Sequence, residues 1–208
     1  MNRPLIISDC DEVLLHMVSH FKDWLETSQG VDFNLEGHNF AEALSWQTDG
    51  SRVDPAEMWR LLGRFFDTEM DSQLPIKGAV ESINTLAEVA DVVILTNLVD
   101  ERRDKRAQQL AAHGIHAQVF TNQGPKGPML RRIIAEFDPS HTVFIDDLAQ
   151  HHASVAEIAP HVTRLHLCGE PMIAHAIDCA HKSGHAHSRI DIWAEALPWI
   201  MARLEEDK

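Results

Sequence analysis

The stretch PLIISDCD, residues 4–11, places a compact apolar run directly before two aspartates. Such a run is typical of a buried β-strand that ends in a loop. Three more strong runs and one weaker run follow the same pattern: 91–95 before Thr96 and Asn97, 117–120 before Thr121 and Asn122, 142–145 before Asp146 and Asp147, and the weaker 162–167. We therefore predict β-strands at 4–8 and at these four later runs.

Segments with apolar residues at three- and four-residue spacing separate the predicted strands. They cover roughly 78–90, 100–113, 125–137 and 149–159, and a closing helix is predicted at 190–204. Strands that alternate with helices indicate a parallel sheet covered on both faces, which is an α/β, Rossmann-like, doubly wound fold. In such sheets the ligand crevice lies outside the carboxyl ends of the strands, where the polar residues named above fall.

About sixty residues between the first strand and the 78–90 helix interrupt this alternation. They carry helical patterns at 16–25 and 55–70, together with several tryptophans and phenylalanines. We predict a small α-helical cap at 15–74 that closes on the crevice, and a Rossmann-like core formed by 1–14 and 75–208. Tryptophans at helical spacing usually pack in the core between helices, and we expect this packing for the cap tryptophans.

Composition limits the possible partners and the compartment. The chain has 208 residues, a formal net charge of -14 and three cysteines without close pairing, and no apolar run is long enough to span a membrane. So acidic a surface repels nucleic acids and anionic membranes, so we expect neither as a partner. The cysteines and the absence of a signal-like N-terminus favour a cytoplasmic protein. We expect the protein to be a monomer or a homodimer.

Acidic residues at two strand ends suggest a metal site. Asp9 and Asp11 would lie on the same side of an extended chain, where like charges are costly without a cation. Asp146 and Asp147 offer the hard oxygen ligands that Mg²⁺ prefers. Each pair alone has an ordinary explanation as turn or capping residues.

Two further residues suit a bound phosphate. Thr96 offers a hydroxyl at a strand end, and Lys126 stands at a helix start, where a cation opposes the helix dipole. A lysine there is better explained by an anionic ligand or by the acid cluster than by helix stability. The order Asp, Thr, Lys, Asp-Asp at successive strand ends predicts one site for phosphate and Mg²⁺.

These residues resemble the four signatures of the haloacid dehalogenase-like superfamily. SDCDEV at 8–13 is similar to the first, ILTN at 94–97 to the second, Lys126 to the third and FIDD at 144–147 to the fourth. The match spans residues 4 to about 167, and the insertion resembles the helical C1-type cap of the phosphatase branch.

The resemblance implies a Mg²⁺-dependent phosphatase that acts on a small phosphorylated metabolite. Asp9 would be the nucleophile that becomes phosphorylated, and Asp11 the general acid and base. It implies two sets of binding residues: Thr96, Asn97 and Lys126 for the phosphoryl group, and Asp9, Asp146, Asp147 and the main-chain carbonyl of Asp11 for Mg²⁺. The acid at position 11 favours phosphoryl transfer over carbon–halogen cleavage, which uses no acid there.

Several alternatives remain open. The same intermediate could pass its phosphoryl group to another acceptor, as in phosphomutases, or the chain could be a regulatory module that binds Mg²⁺ or phosphate without turnover.

The family usually has glycine where this chain has Glu12. The turn at this position therefore loses conformational freedom at positive φ and gains a negative charge.

Other conspicuous residues are expected to be structural. We interpret His151 and His152 as surface residues of a helix, and the histidine-rich segment 181–187 as a solvated loop rather than a metal site. Cys10, flanked by acids, is expected to have a raised thiol pKa and no nucleophilic role.

Overall fold

The computed structural model of the protein describes residues 2–35 and 40–205. The chain divides into two compact units, one formed by Met1–Leu15 with Pro75–Lys208 and the other by His16–Leu74. The second unit lies within the insertion predicted at 15–74, and its role as a cap stays a prediction.

The helices and strands follow one another in an order close to the predicted one. In chain order they are β1 (Leu5–Ser8), α1 (Val18–Trp24), β2 (Val31–Phe33), β3 (Leu44–Trp46), α2 (Pro55–Thr68), α3 (Ala79–Val89), β4 (Asp91–Thr96), α4 (Arg103–Ala112), β5 (Gln118–Thr121), α5 (Gly127–Phe137), β6 (Thr142–Asp146), α6 (Ala149–Ile158), β7 (Thr163–His166), α7 (Pro171–Ala174), β8 (Ser188–Arg189) and α8 (Trp193–Glu205).

The first unit contains a six-stranded parallel sheet in the order β5-β4-β1-β6-β7-β8. The central strand β1 lies between β4 and β6, with Ser8 level with Ile94 and with Ile145. This register brings the ends of the three strands to the same edge of the sheet. The predicted α/β, Rossmann-like fold class is confirmed.

Two apolar layers cover the faces of the sheet. Because successive side chains of a strand point to opposite faces, Ile6 packs in one layer while Leu5 and Ile7 pack in the other. The first layer includes buried residues of α3, α4 and α8, and the second includes residues of α5 and α6. Helices on both faces explain why β1 is a continuous apolar run without the alternation of a half-exposed strand.

The second unit is not purely helical. An antiparallel pair, β2 with β3, accompanies helices α1 and α2, and the sequence prediction did not include it. The interior is aromatic: the ring of Phe21 contacts those of Trp24, Phe33, Phe40 and Phe65, with centroids 5.3–6.4 Å apart.

One tryptophan departs from the expected packing. Trp59 on α2 is 63% exposed, so the prediction of core packing for the cap tryptophans is wrong at this position. Met58, Leu61 and Phe65 form the buried stripe of α2, and Trp59 falls on the other side of the helix.

Within the described residues, no helix combines the length and apolar character needed to cross a membrane.

A close approach between α5 and α6 requires glycine at position 127. A Cβ built there would lie 2.5 Å from the main-chain oxygen of Ser154. We expect Gly127→Ala to lower the free energy of unfolding by about 1–3 kcal/mol, because main-chain atoms must shift to relieve the overlap. Chemical denaturation measures this loss. Gln150→Ala, at an exposed position of α6, is the control and should change stability by less than about 0.5 kcal/mol. An equal effect of the two substitutions would contradict the prediction.

Candidate active site

Asp9 follows β1 and is held on both of its carboxylate oxygens. The amide of Cys10 donates to Oδ1 at 2.6 Å, and the Lys126 ammonium lies 2.8 Å from Oδ2. The Asp9 amide donates to the carbonyl of Ile145 at 2.8 Å, which fixes the loop against β6. Burial raises the pKa of Asp9 to about 7, although Lys126 acts in the opposite direction. The carboxylate is thus oriented by neighbours rather than by solvent.

Lys126 is fully buried and bridges two acids. Besides Asp9 it donates to Oδ2 of Asp146 at 2.7 Å. Burial alone would lower its pKa, but the carboxylates of Asp146 and Asp9 outweigh burial and raise it. The acid cluster therefore explains why a lysine stands at the N-terminus of α5, against the helix dipole.

Asp146 and Asp147 lie beside Asp9 at the end of β6. Carboxylate oxygens of the three acids lie within 4.8 Å of one another. Burial favours a raised pKa at Asp146, but Lys126 overcomes it and lowers that pKa. Burial and the charges of Asp146 and Asp9 raise the pKa of Asp147 well above its usual value.

These three carboxylates fit a divalent cation. One lysine cannot neutralise three buried acids, and both burial and the neighbouring acids raise the pKa of Asp147. Oxygen ligands in this number suit Mg²⁺, which takes few carboxylates and completes its shell with water or substrate.

Asp11 pairs with a cation that the sequence prediction missed. Arg106 on α4 is fully buried, and its Nη2 lies 3.0 Å from Oδ1 and 3.1 Å from Oδ2 of Asp11. Its Nη1 donates to the Sγ of Cys10 at 3.1 Å. The signal in the sequence was weak: Arg106 shares a helix face with Gln109 and Leu110, which are also buried.

Thr96 and Asn97, two of the candidate phosphate ligands, differ in their surroundings. Thr96 is buried at the end of β4, the edge at which Asp9 lies. The Asn97 side chain donates to the carbonyl of Gly124 at 3.0 Å and accepts from Asn122 at 2.9 Å. Asn97 therefore braces the loop that precedes Lys126. Phosphate binding by Thr96, Asn97 and Lys126 stays a prediction.

His151 and His152 are buried, so their predicted surface placement is wrong. His152 Nε2 lies 2.9 Å from the carbonyl oxygen of Asp146, and its ring packs against Phe144. His151 Nε2 lies 3.5 Å from Nδ2 of Asn97. Because α6 begins directly behind β6, the side of its first turn that carries His151 and His152 is buried, while Gln150 on the other side is exposed. Burial lowers the pKa of both imidazoles.

The histidine-rich segment 181–187 is a largely exposed loop, as predicted, and hydrogen bonds hold it in place. His187 Nδ1 accepts from the amide of Arg164 at 2.9 Å, and His181 Nδ1 lies 3.1 Å from the carbonyl oxygen of Ala186. The first of these contacts attaches the segment to β7, and the chain then leads into the short edge strand β8.

Glu12 has the positive φ that favours glycine, and Cys10 has the raised thiol pKa that the sequence predicted. Glu12 is buried at a φ of 62°, in the region that favours glycine, and its charge contributes to raising the pKa of Asp147. Burial, more than the flanking acids, raises the pKa of the Cys10 thiol to about 12. Such a thiol is a poor nucleophile.

The raised pKa of Asp9, about 7, predicts a pH-dependent stabilisation by Mg²⁺. A carboxyl whose folded-state pKa is raised stabilises the fold below its unfolded-state pKa, and this contribution is lost as pH rises through the folded-state value. The metal-free protein should therefore weaken as pH rises through about 7, and Mg²⁺ should offset the loss by binding the ionised acids. We expect Mg²⁺ to raise the melting temperature more at about pH 8 than at about pH 5.5.

Asp147→Asn is the matched variant for this measurement. It should shrink the Mg²⁺-induced shift at the higher pH, because one candidate ligand is lost. Equal shifts of the wild-type protein at both pH values would contradict the prediction.

Comparisons with known proteins find similarity in structure. Neither the protein-family models nor the curated proteins include a match. A HAD family hydrolase from Deinococcus radiodurans R1, with bound phosphate and sodium, has a TM-score of 0.65 at 19% identity, covering 96% of both chains. A proposed β-phosphoglucomutase from Thermotoga maritima has a TM-score of 0.63 at 12% identity, covering 96% of this chain and 99% of that one.

A dehalogenase matches about as well, with a TM-score of 0.62 at 10% identity over 95% of this chain and 96% of the other. These similar structures carry different activities, so the match concerns architecture. The chain has the fold of the haloacid dehalogenase-like hydrolases.

Proposed function

We propose that the protein is a Mg²⁺-dependent phosphatase that hydrolyses a small-molecule phosphomonoester through an aspartyl-phosphate on Asp9. The observation that carries the proposal is the position of Asp9 between the buried Lys126 ammonium and the acids Asp146 and Asp147. A carboxylate held this way can attack phosphorus, while the lysine offsets the charge that the phosphoryl group brings. The bound phosphate in the D. radiodurans structure supports the proposal.

The reaction would proceed in two displacements. A carboxylate oxygen of Asp9 forms a bond to phosphorus, the ester oxygen–phosphorus bond breaks, and Asp11 gives its proton to the departing oxygen. Asp11 then takes a proton from a water molecule that attacks the phosphorus, which releases inorganic phosphate and restores Asp9. Asp9, Asp146 and Asp147, with the main-chain carbonyl of Asp11, would hold Mg²⁺, which when bound neutralises charge on the phosphoryl oxygens.

Asp11 also bears on the choice between reactions. A dehalogenase needs no acid at this position, whereas phosphate ester cleavage benefits from a proton donor. The presence of Asp11 therefore favours phosphoryl chemistry over the activity of the similar dehalogenase.

Phosphate release from a panel of sugar phosphates, nucleotides, phosphoglycolate and p-nitrophenyl phosphate tests the proposal. We expect Mg²⁺-dependent release that EDTA removes and that Asp147→Asn lowers. Glu136→Gln, on an exposed part of α5, is the matched control and should retain the activity.

Two other outcomes identify the alternatives. Transfer of the phosphoryl group between two sugar positions, with little release to water, would identify a phosphomutase, the activity proposed for the T. maritima structure. Binding of Mg²⁺ and phosphate without turnover of any ester would identify a regulatory module.

A further inference from the structure

The site contains two buried cations that serve different acids. Lys126 contacts Asp9 and Asp146, the pair expected to meet the phosphoryl group and the metal. Arg106 contacts Asp11, the residue expected to move protons. The side chain of each cation is 0% exposed. The positive charge of the site is thus divided between two functions.

The contacts of Arg106 balance the charge of Asp11 and also restrain the orientation of its side chain. Its Nη2 reaches both carboxylate oxygens of Asp11, and its Nη1 reaches the Sγ of Cys10. A planar guanidinium held at two neighbouring residues sets the direction from which it meets the carboxylate. The rotation of the Asp11 side chain is therefore restrained by its partner.

Arg106 is supported by a helix that packs in the core. Arg106 lies in the middle of α4, one turn before Leu110, which is fully buried in the core layer that includes Ile6 and Ile94. Asp11, by contrast, lies in a loop after β1 with its side chain 17% exposed. An acid on a loop is thus tied to a helix that packs in the core.

We propose that Arg106 is a positioning residue that acts through Asp11, holding this carboxylate where it can exchange a proton with the leaving oxygen. The inference rests on the proposed phosphatase function. Proton transfer needs hydrogen-bond reach to the reacting oxygen, so a small displacement of Asp11 removes its contribution. Arg106 would matter most for alkyl phosphates, whose departing oxygen is strongly basic and needs the proton.

The test measures release of the leaving group in a single turnover, with enzyme in excess over ester. This measurement isolates the first displacement from hydrolysis of the intermediate. Glycerol phosphate serves as the alkyl ester and p-nitrophenyl phosphate as the aryl ester, whose weakly basic oxygen departs without a proton. The variants are Arg106→Met, Arg106→Lys, Asp11→Asn and the double variant Asp11→Asn with Arg106→Met.

We expect Arg106→Met to slow the alkyl ester by about 100-fold and the aryl ester by less than about threefold, as loss of a general acid would. Asp11→Asn should show the same selectivity. Adding Arg106→Met to Asp11→Asn should cost nothing further on the alkyl ester, because the two residues act as a unit. Arg106→Lys, which keeps the charge but loses the fork, should recover part of the alkyl rate.

Equal slowing of both esters by Arg106→Met, or multiplication of its effect with that of Asp11→Asn, would overturn the inference and indicate a purely structural role. Circular dichroism establishes that the variants fold, and Arg106→Lys provides the same comparison if Arg106→Met does not. Asp9→Asn separates the two proposals. A wild-type protein no more active than Asp9→Asn on either ester refutes the phosphatase function, whereas an active wild type with unselective Arg106 variants refutes only the positioning role.

Discussion

Replacing Asp9 with asparagine is expected to lower phosphate release by about 10⁴-fold or more, the scale seen when a covalent nucleophile is removed from an enzyme. The amide has nearly the shape of the carboxylate but cannot form the acyl phosphate. Lys126 keeps its contact with Asp146 in this variant, at 2.7 Å. The substitution removes one of several mutually repelling acids, so the fold should not weaken.

Phosphate release and thermal unfolding, measured on the same preparation, check both parts of this expectation. Glu88→Gln, an exposed acid at the end of α3, is the matched control for loss of one negative charge and should retain full activity. Activity of Asp9→Asn within about tenfold of the wild type would show that another group attacks phosphorus.

Replacing Lys126 with methionine is expected to affect both stability and activity. Methionine has similar length but leaves the carboxylates of Asp9 and Asp146 buried without their shared cation. Breaking a buried ion pair from one side costs about 3–5 kcal/mol, so the metal-free variant should lose a large part of its free energy of unfolding. Activity should fall by about 10²–10³-fold, since a charge that stabilises the transition state is lost.

Urea denaturation in EDTA, followed by turnover with Mg²⁺, measures the two effects of Lys126→Met. Lys77→Met at an exposed loop position is the control, and its stability should change by less than about 0.5 kcal/mol. Similar stabilities of the two variants would contradict the bridging role of Lys126.

The central sheet could be predicted because its strands are buried on both faces. Such strands are continuous apolar runs, and β1, β4, β5, β6 and β7 lie where the runs indicated. The pair β2 and β3 was missed because each strand has only three residues and is defined by its partner rather than by a local pattern. Strand β8, of two residues, was missed for the same reason.

The candidate site could be predicted where its residues follow strands. Asp9 directly follows β1, and Thr96 and Asp146 end the two strands that pair with it, so parallel pairing alone places them at the same edge. Arg106 comes from the middle of a helix, and its direction depends on how α4 packs on the sheet. The same tertiary effect buries His151 and His152, which a sequence pattern rich in polar residues assigns to the surface.

The most direct test of the central claim is to locate the phosphorylated residue. Wild-type protein would be mixed with a substrate ester and Mg²⁺, quenched in acid and reduced with borohydride, which converts a phosphorylated aspartate to homoserine. Peptide mass spectrometry should then find homoserine at position 9 in the wild type and none in Asp9→Asn. Turnover of the ester with aspartate intact at position 9, or with the reduced residue elsewhere, would contradict the assignment of Asp9 as the nucleophile.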